Sequence, residues 1–434
     1  MRREELVMIC TSDIAGQLRG KAVPARDFEK RRGTGVGWTP TNIMITAHGP
    51  IAPSPWGSRE DLYLRPVPTT AVRLSIAPEG PVESFVLSKI MRLDGTPWEC
   101  CLRSFLERGL TALEAEGLRM IASFEHEFAL QGIEERPNSP YNFDAFRRQG
   151  LFAEVFTAAM RENGLEPDTF MPEYGPSQYE VTMRHAPALA AADRAIMLRE
   201  VARSVAHRLG LQATFTPLLR PDAVGNGVHV HFSLTDLAGR PVNHAAEGPA
   251  GLSPVAAAFL EGIRRKLPAL CALTAAATIS YLRLVPHRWS ASYTNVGLRD
   301  REAAVRICPV FRPGTEETAL HFEYRAADAA ASPYLVLGGL VWAGLWGLRQ
   351  KLEAPPLTTA DPEQMSEQER TALDLRRLPG SLADALSELE ADADLKAAMG
   401  EILHGVYLTH KRFEEELMAP LDPAEQCARY LLAY

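Results

Sequence analysis

The sequence predicts an α+β fold of two domains, a small β-rich domain followed by a larger domain of helices and strands. The chain has 434 residues, 46% of them hydrophobic and 23% charged, which is enough to bury a sizeable core. Residues 1–95 lack long helical periodicity and contain the Pro- and Gly-rich stretch 48–66. A turn pattern at 93–99 marks the boundary, so we predict domains at 1–95 and 96–434.

The second domain shows helical and strand patterns in alternation. The pattern at 100–117 predicts a helix that ends at Gly117, and residues 354–370 predict a surface loop followed by mostly helical sequence. The apolar run 331–348 is short for a membrane span and begins with Ser332 and Pro333, so it predicts a buried helix. The remaining predicted elements are helices at 145–163 and 189–209 and strands at 123–130, 177–184, 228–235 and 319–326.

Composition narrows the class of protein. A formal net charge of −8 argues against a nucleic-acid binder, so small molecules or proteins are the expected partners. The six cysteines form no CxxC pair, which indicates reduced thiols without a chemical role, and the N-terminus has no signal-peptide pattern. We therefore predict a cytoplasmic protein that associates with neither nucleic acid nor a membrane.

The strand SFEHEFAL at 123–130 carries two carboxylates on one face. Side chains alternate along a strand, so Glu125 and Glu127 point the same way while Phe124, His126 and Phe128 point the other. Two carboxylates about 7 Å apart repel each other near a core unless a cation or a basic group lies between them. A solvated strand face is the alternative.

Other predicted strands repeat this pattern of one apolar and one polar face. The polar faces contain no lysine and concentrate Glu, His and Arg, which favours a Mg²⁺ or Mn²⁺ site, although composition alone leaves a solvated face equally open. The polar residues are Gln178 and Glu180; His229, His231 and Ser233; His321, Glu323 and Arg325; and Glu173, which precedes a turn.

A second cluster, at 281–306, is rich in arginine. Guanidinium groups bind phosphate or carboxylate oxygens two at a time, whereas a solvated arginine-rich loop is the alternative. The sequence has no Walker loop and no GxGxxG motif, so arginines and metal ions would have to hold any nucleotide phosphates. The arginines are Arg283, Arg288, Arg299, Arg301 and Arg306.

Several motifs occur in an order that is specific to one family. They are DIAGQLRGK at 13–21, ExEF at 125–128, E…GPxQxE at 173–180, GNGVHVHFSL at 225–234, RLVP at 283–286, the arginine-rich segment 299–306, and ExR at 323–325. On these motifs the chain resembles the glutamine synthetase family, in particular its bacterial type I branch and the related γ-glutamyl-amine ligases.

The resemblance implies a fold and an assembly. The N-terminal domain would be β-grasp-like, and the larger catalytic α/β domain would be built on a curved antiparallel sheet. The family's subunits form a dodecamer of two hexameric rings, and each active site is completed by the N-terminal domain of a neighbouring subunit.

The resemblance also implies roles for individual residues. Arg283 and Arg325 would hold glutamate beside Gly225, and Arg301 and Arg306 would contact the phosphates of ATP, so that Arg301, Arg306 and Arg325 act in catalysis. His231 and Ser233 would lie near the nucleotide. Two ions, Mg²⁺ or Mn²⁺, would be held by Glu127, Glu173 and Glu180 and by Glu125, His229 and Glu323.

The chain departs from the ammonia-using members of that family. Their loop after RLVP reads PGYE, and its glutamate helps to take a proton from ammonium, but here the loop ends in Trp289. Thr39 stands where an aspartate helps to bind ammonium, and Thr318 and His321 replace a lysine and an arginine near the nucleotide. Trp289 and Thr39 would therefore face a different nitrogen nucleophile.

These features predict an ATP-dependent ligase that phosphorylates the γ-carboxylate of glutamate and couples it to an organic primary amine. Phosphorylation converts a poor acylating agent into one with a good leaving group. Three alternatives remain: a glutamine synthetase that uses ammonia, a catalytically weak regulator of the same fold, and a ligase whose acid substrate is not glutamate. A long polyamine is less favoured as the substrate, because its second charge needs a further carboxylate that the sequence does not locate.

Overall fold

The computed structural model describes residues 3–77, 79–133 and 140–434. Its strands, numbered in chain order, are β1 (Leu6–Ser12), β2 (Leu18–Pro24), β3 (Val36–Trp38), β4 (Leu62–Pro66), β5 (Val72–Leu74), β6 (Glu83–Arg92), β7 (Leu118–Gln131), β8 (Pro167–Pro172), β9 (Gln178–Met183), β10 (Ala186–Pro187), β11 (Gln212–Thr214), β12 (Val228–Asp236), β13 (Val296–Leu298), β14 (Val305–Ile307), β15 (Phe322–Ala327) and β16 (Leu357–Thr358).

The α-helices are numbered in the same way. They are α1 (Phe28–Thr34), α2 (Leu102–Ala115), α3 (Phe143–Arg148), α4 (Gly150–Glu162), α5 (Ala188–Arg208), α6 (Pro254–Thr274), α7 (Ser280–Arg283), α8 (Glu316–Ala319), α9 (Pro333–Arg349), α10 (Glu367–Ala372), α11 (Leu382–Ala391), α12 (Ala393–Met399), α13 (Glu401–Met418) and α14 (Pro423–Leu431).

The N-terminal part of the chain forms the smaller sheet. Its six strands among the described residues run in the order β2-β1-β6-β4-β3, with β5 against β6. β1 and β6 are parallel, and the other pairs are antiparallel. The single α-helix described within this sheet region, α1, has seven residues, in agreement with the lack of long helical periodicity.

The larger sheet supplies the polar faces predicted from the sequence. Within the described ranges it has ten strands in the order β16-β13-β14-β15-β12-β7-β9-β8, and β10 and β11 add to β7. β7 lies near its middle, and its side chains alternate between buried and half-buried along residues 120–128. This alternation places Phe124, His126 and Phe128 in the core and turns Glu125 and Glu127 the other way.

Helices cover the apolar face of the larger sheet. α5 and α2 pack on β7, while α6 and α9 pack closely against each other. α9 confirms the predicted buried helix, since it begins at Pro333 and most of its residues are buried. In the part of the chain that the structure describes, no helix combines the length and apolarity that crossing a membrane requires.

Three predicted elements differ in detail. The helix predicted at 145–163 is two helices, α3 and α4, because Gln149 has non-helical dihedral angles and Gly150 follows it. The strand predicted at 319–326 begins only at Phe322, since a helical turn, α8, precedes it. The loop predicted at 354–370 contains the short strand β16 and the beginning of α10, whose N-cap Ser366 forms a capping box with Glu369.

Candidate active site

Strand register gathers the polar side chains onto one continuous face of the larger sheet. Glu127 on β7 pairs with Glu180 on β9, and Glu125 pairs with His229 on β12. Directly opposed residues of an antiparallel pair have Cβ atoms about 4.5–5.5 Å apart. Side chains from three strands are therefore neighbours although they are up to about a hundred residues apart in sequence.

The same face continues across the next two strands. Glu323 on β15 pairs with His231 on β12 and with Arg306 on β14. His229 lies at the centre, with its Nδ1 2.8 Å from Glu125 Oε1 and 3.6 Å from Glu323 Oε1. Its Nε2 is 3.9 Å from Glu127 Oε1, so one imidazole contacts three of the carboxylates.

The carboxylates repel one another strongly. Burial raises the pKa of Glu180 to about 10, and the charges of Glu125, Glu127 and Glu173 add to the effect. Burial and the charge of Glu127 likewise raise the pKa of Glu173. Burial also acts to raise the pKa of Glu125, but its contacts with His229 and His231 outweigh burial and the pKa is lowered. The excess of buried negative charge is what a bound cation would neutralise.

The donor atoms fit hard divalent cations. Ligand atoms of Glu125, Glu180 and His229 all lie within 4.8 Å of one another, and so do those of Glu125, His231 and Glu323. Carboxylate oxygens with an occasional imidazole are the ligands that suit Mg²⁺ and Mn²⁺. The residues present therefore fit the metal ions that the sequence predicts.

Glu127 and Glu173 lie on the same wall but belong to neither of those groups among the described residues. Glu127 Oε2 accepts hydrogen bonds from the backbone N–H of Gly227 at 2.8 Å and from Gln178 at 3.3 Å. Glu173 Oε2 accepts from the backbone N–H of Tyr174 at 2.8 Å and from the hydroxyl of Tyr141 at 3.4 Å. The division of six ligands between two ions stays a prediction.

Three buried arginines stand beside the carboxylates. Arg306 Nη1 donates to Glu323 at 2.8 Å, and Arg325 forms a short ion pair with the other oxygen of Glu323. Burial acts to raise the pKa of Glu323, yet the charges of Arg325 and of the nearby imidazoles lower it to about 2. Arg283 donates from Nη2 to the Ala327 carbonyl at 2.8 Å. All three arginines leave Nε without a partner among the described residues.

A cavity of about 1710 Å³ opens over this face. A pocket for one drug-sized ligand measures roughly 300–1,000 Å³, so the cavity has room for more than one substrate. Arg306 and Glu323 lie outside the lining, and Thr39 does not line the cavity of its own chain. The other predicted site residues line it: Glu125, Glu127, Glu173, Glu180, Gly225, His229, His231, Ser233, Arg283, Trp289, Arg301 and Arg325.

The loop at 286–289 forms part of the rim. His287 and Trp289 have φ values of 60° and 54°, which are unfavourable for residues with a Cβ. The carboxylate of Glu302 accepts the backbone N–H of His287 at 3.1 Å and that of Trp289 at 3.3 Å. Arg325 donates to the Trp289 carbonyl at 3.2 Å. The loop is thus held by its backbone, and Trp289 as a residue remains 61% exposed at the cavity.

Sequence reasoning missed two residues of this region. Glu302 lies inside the arginine-rich segment, but no periodicity marks it as the group that anchors the loop. Cys308 was predicted to have no chemical role, yet its Sγ lies 4.0 Å from His231 Nδ1. Burial acts to raise the pKa of the Cys308 thiol, but contacts with His231 and His321 outweigh burial and the pKa is lowered. The sequence did contain one indication that Cys308 belongs to the site, namely its position two residues after Arg306.

A sheet face of paired carboxylates and imidazoles, flanked by buried guanidiniums and a large cavity, defines a site suited to divalent cations and anionic substrates. The chain belongs to the glutamine synthetase family. The model of the glutamine synthetase catalytic domain matches residues 99–426, and that of the glutamine synthetase N-terminal domain matches residues 1–98. The family resemblance and the fold class predicted from the sequence are confirmed.

Individual relatives span nearly the whole chain. A γ-glutamylpolyamine synthetase, GlnA3, of Streptomyces coelicolor is 30% identical over 99% of this chain and 93% of its own. A glutamine synthetase of Thermococcus kodakarensis is 30% identical over 92% of this chain and 86% of its own. A crystal structure described as a novel glutamine synthase homolog has a TM-score of 0.91 at 39% identity, covering 100% of this chain and 99% of that one.

These matches establish the class of reaction. The protein is an ATP-dependent carbon–nitrogen ligase of the glutamine synthetase type. The family depends on ATP and a divalent metal, and it uses glutamate with ammonia or an amine.

Proposed function

We propose that this ligase joins the γ-carboxylate of glutamate to an organic primary amine. A γ-carboxylate oxygen attacks the terminal phosphorus of ATP, forming an acyl phosphate as ADP leaves. The amine nitrogen then attacks the acyl carbon, a C–N bond forms, phosphate leaves, and the nitrogen gives up a proton. Phosphorylation supplies the leaving group that a free carboxylate lacks.

Four arginines of the site, of which Arg283, Arg306 and Arg325 are buried and Arg301 is exposed, support the binding roles. Arg283 and Arg325 are proposed to hold glutamate, and Arg301 and Arg306 the phosphates, because guanidinium groups match carboxylate and phosphate oxygens. Arg325 is only 2% exposed and is oriented by Glu323 and the Trp289 carbonyl. Such a fixed donor would need little reorganisation as charge develops. The metal ions, when bound, would polarise the phosphates of ATP.

Trp289 is the observation that carries the choice of an amine over ammonia. Ammonium binds well only where anionic groups replace its hydration. In this loop the nearby carboxylate, Glu302, is already engaged by two backbone N–H groups. The exposed indole of Trp289 offers instead a large apolar face, and its π system attracts a cationic amine head.

The relatives support two candidates for the nitrogen substrate, an amine and ammonia. The Streptomyces coelicolor relative is a γ-glutamylpolyamine synthetase, which supports a nitrogen substrate larger than ammonia. The Thermococcus kodakarensis relative is a glutamine synthetase, which favours ammonia. Both are 30% identical to this chain, so identity does not separate them.

The test compares kcat/KM for ammonia with that for alkyl, aryl and polyamine substrates, in the wild-type enzyme and in Trp289→Glu. We expect the wild type to prefer an amine with an alkyl or aromatic body. An apolar group packed on the indole gains roughly 1–3 kcal/mol, so Trp289→Glu should lower kcat/KM for that amine about 5- to 150-fold. The same substitution should improve the relative rate with ammonia.

Phe311→Glu is the matched control. Phe311 is also an exposed aromatic residue, but it does not line the cavity, so this change of charge should leave the ranking of amines unaltered. If ammonia is the best substrate of the wild type, the enzyme is a glutamine synthetase. If no amine and no ammonia gives phosphate release with ATP, Mg²⁺ and glutamate, the proposed pairing of glutamate with an amine is wrong, and a different acid substrate replaces glutamate.

A further inference from the structure

One side-chain cluster beside the carboxylates differs from them in chemistry. It consists of His231 on β12, Cys308 directly after β14, and His321 directly before β15. The backbone N–H of Cys308 donates to the His321 carbonyl at 3.1 Å, which ties two of the three residues together. Their potential ligand atoms all lie within 4.8 Å of one another.

We propose that His231, Cys308 and His321 form a further cation site, adjoining the Glu125 and Glu323 group through the His231 ring, that takes a soft divalent ion, of which Zn²⁺ is the representative. One thiolate and two imidazoles are zinc ligands, whereas Mg²⁺ prefers oxygen donors. This site goes beyond the proposed ligase reaction and does not depend on which amine is used.

The spacing is close to what zinc requires. Bond lengths of about 2.3 Å to sulfur and 2.0–2.1 Å to nitrogen, at a tetrahedral angle, put sulfur and nitrogen about 3.6 Å apart. The Cys308 Sγ to His231 Nδ1 distance is 4.0 Å. This pair is a few tenths of an ångström wider than a bound zinc ion would hold it, and the other two pairs lie within 4.8 Å.

Neighbouring groups orient both imidazoles for this role. The Nδ1 of His321 lies 2.9 Å from the Ala319 carbonyl, to which it donates, so Nε2 is the nitrogen left for an ion. The Nε2 of His231 lies 3.6 Å from Glu125 Oε2 and 4.0 Å from Glu323 Oε1, which leaves Nδ1 facing Cys308. Carboxylate and carbonyl partners of this kind are what hold metal-bound histidines in place.

The site would keep one position open. Cys308 is 5% exposed, while His231 and His321 line the cavity. Three protein ligands with a fourth position facing a cavity are typical of zinc sites that also bind water or a ligand, whereas purely structural sites are closed by four residues. An ion here would lie where the sequence predicts the nucleotide, next to His231.

The test is a Co²⁺ titration of the full-length protein in excess Mg²⁺ with a non-thiol reductant. Bound to a thiolate, Co²⁺ gives an intense near-ultraviolet charge-transfer band, and bound to carboxylates and imidazole alone it does not. We expect this band to saturate at one Co²⁺ per chain and to disappear when Zn²⁺ is added.

Variants separate this site from its neighbours. Cys308→Ser should abolish the band, and His321→Gln should weaken or abolish it. Because two variants test the site, the assignment does not depend on whether one of them folds. Glu173→Gln removes a predicted ligand for hard cations and Cys427→Ser removes a thiol elsewhere, and both should retain the band. A wild type without the band, or a Cys308→Ser protein that keeps it, would overturn the proposal.

Discussion

At the scale of single residues, Glu127 shows how the site holds charge that the fold alone does not balance. It faces Glu180 across a strand pair, and a backbone N–H and an amide fix one of its oxygens. Its other oxygen, Oε1, lies 3.9 Å from His229 Nε2, and the residue lines the cavity. The geometry thus keeps one carboxylate oxygen available to a cation.

We predict that Glu127→Gln lowers the rate of phosphate release at least about 100-fold, the upper end of what losing even an outer-shell metal partner costs. Gln keeps the size of the side chain but removes its charge, so the fold should be retained. The assay uses ATP and glutamate with the best amine at limiting Mg²⁺. Asp168→Asn, which changes a cavity acid outside the cluster, should stay active. Full activity of Glu127→Gln would contradict the metal assignment.

At the scale of elements, the approach of α6 to α9 depends on two glycines. A Cβ at Gly347 would lie 2.2 Å from the Ala258 carbonyl oxygen, and a Cβ at Gly262 would lie 2.4 Å from that of Ala343. These distances are far inside van der Waals contact, so the two backbones touch where neither helix has a side chain. Gly347, in the apolar run 331–348, and Gly262 in α6 thus permit close packing between the two helices.

Gly347→Ala should therefore destabilise the protein by about 1–3 kcal/mol, the usual cost of overpacking a filled core. Gly405 provides the comparison, since it lies in the middle of α13, is exposed, and has open space where a Cβ would be. Gly405→Ala should stabilise the protein by about 0.5–1 kcal/mol through helix propensity. Urea unfolding midpoints measure both, and shifts in the same direction would refute the packing argument.

At the scale of the whole molecule, α13 links the C-terminal helices to the N-terminal sheet region. Glu414 accepts the backbone N–H of Ala47 at 2.8 Å, and His410 Nε2 donates to the Ile45 carbonyl at 3.3 Å. Lys411 lies 2.7 Å from Glu414, and all three side chains of α13 are buried. Burial lowers the pKa of His410 to about 4, against the opposing charge of Glu414.

This lowered pKa predicts a loss of stability in mild acid. Unfolded, His410 takes up a proton near its ordinary pKa of about 6.5, whereas folded it stays neutral down to about pH 4. The unfolded state binds more protons in that window, so stability falls as the pH falls from 6.5 to 4. Between pH 6.5 and pH 4, the free energy of unfolding of the wild type should fall by up to about 3 kcal/mol more than that of His410→Gln.

Urea unfolding at both pH values tests this difference. The pKa of Glu414 is lowered to about 2, because the charges of Lys411 and His410 outweigh the effect of its burial. The stability that Glu414 contributes is therefore lost only as the pH falls below about 4.5, in the wild type and in His410→Gln. Equal pH dependence of the two proteins would show that His410 is not responsible.

The position of Thr39 is compatible with the ring assembly that the family resemblance implies. Thr39 follows β3 in the N-terminal sheet region and does not line the cavity of its own chain. If it contacts the amine, it must do so in a neighbouring subunit, as in a ring-shaped oligomer. The family resemblance implies two hexameric rings, so light scattering should give a mass near twelve times 47.7 kDa. A monomer at micromolar concentration that is still active would rule this out.

Sequence patterns alone determined the polar faces of the strands. Because strand side chains alternate with a period of two, Glu125 and Glu127 had to share a face, and so did His229 and His231, whatever the strands paired with. The order of motifs then identified the family, since several short patterns in a fixed order are far more specific than any one of them.

Only the tertiary structure decided which of these residues meet. The pairing of Glu127 with Glu180, the meeting of Cys308 with His231 and His321, and the hold of Glu302 on the loop of Trp289 each join different strands or loops. Such contacts depend on register and chain path, which are set by the packing of the whole core and not by local periodicity. The sequence of a strand determines which side chains share one of its faces, but the neighbouring strands determine what that face can bind.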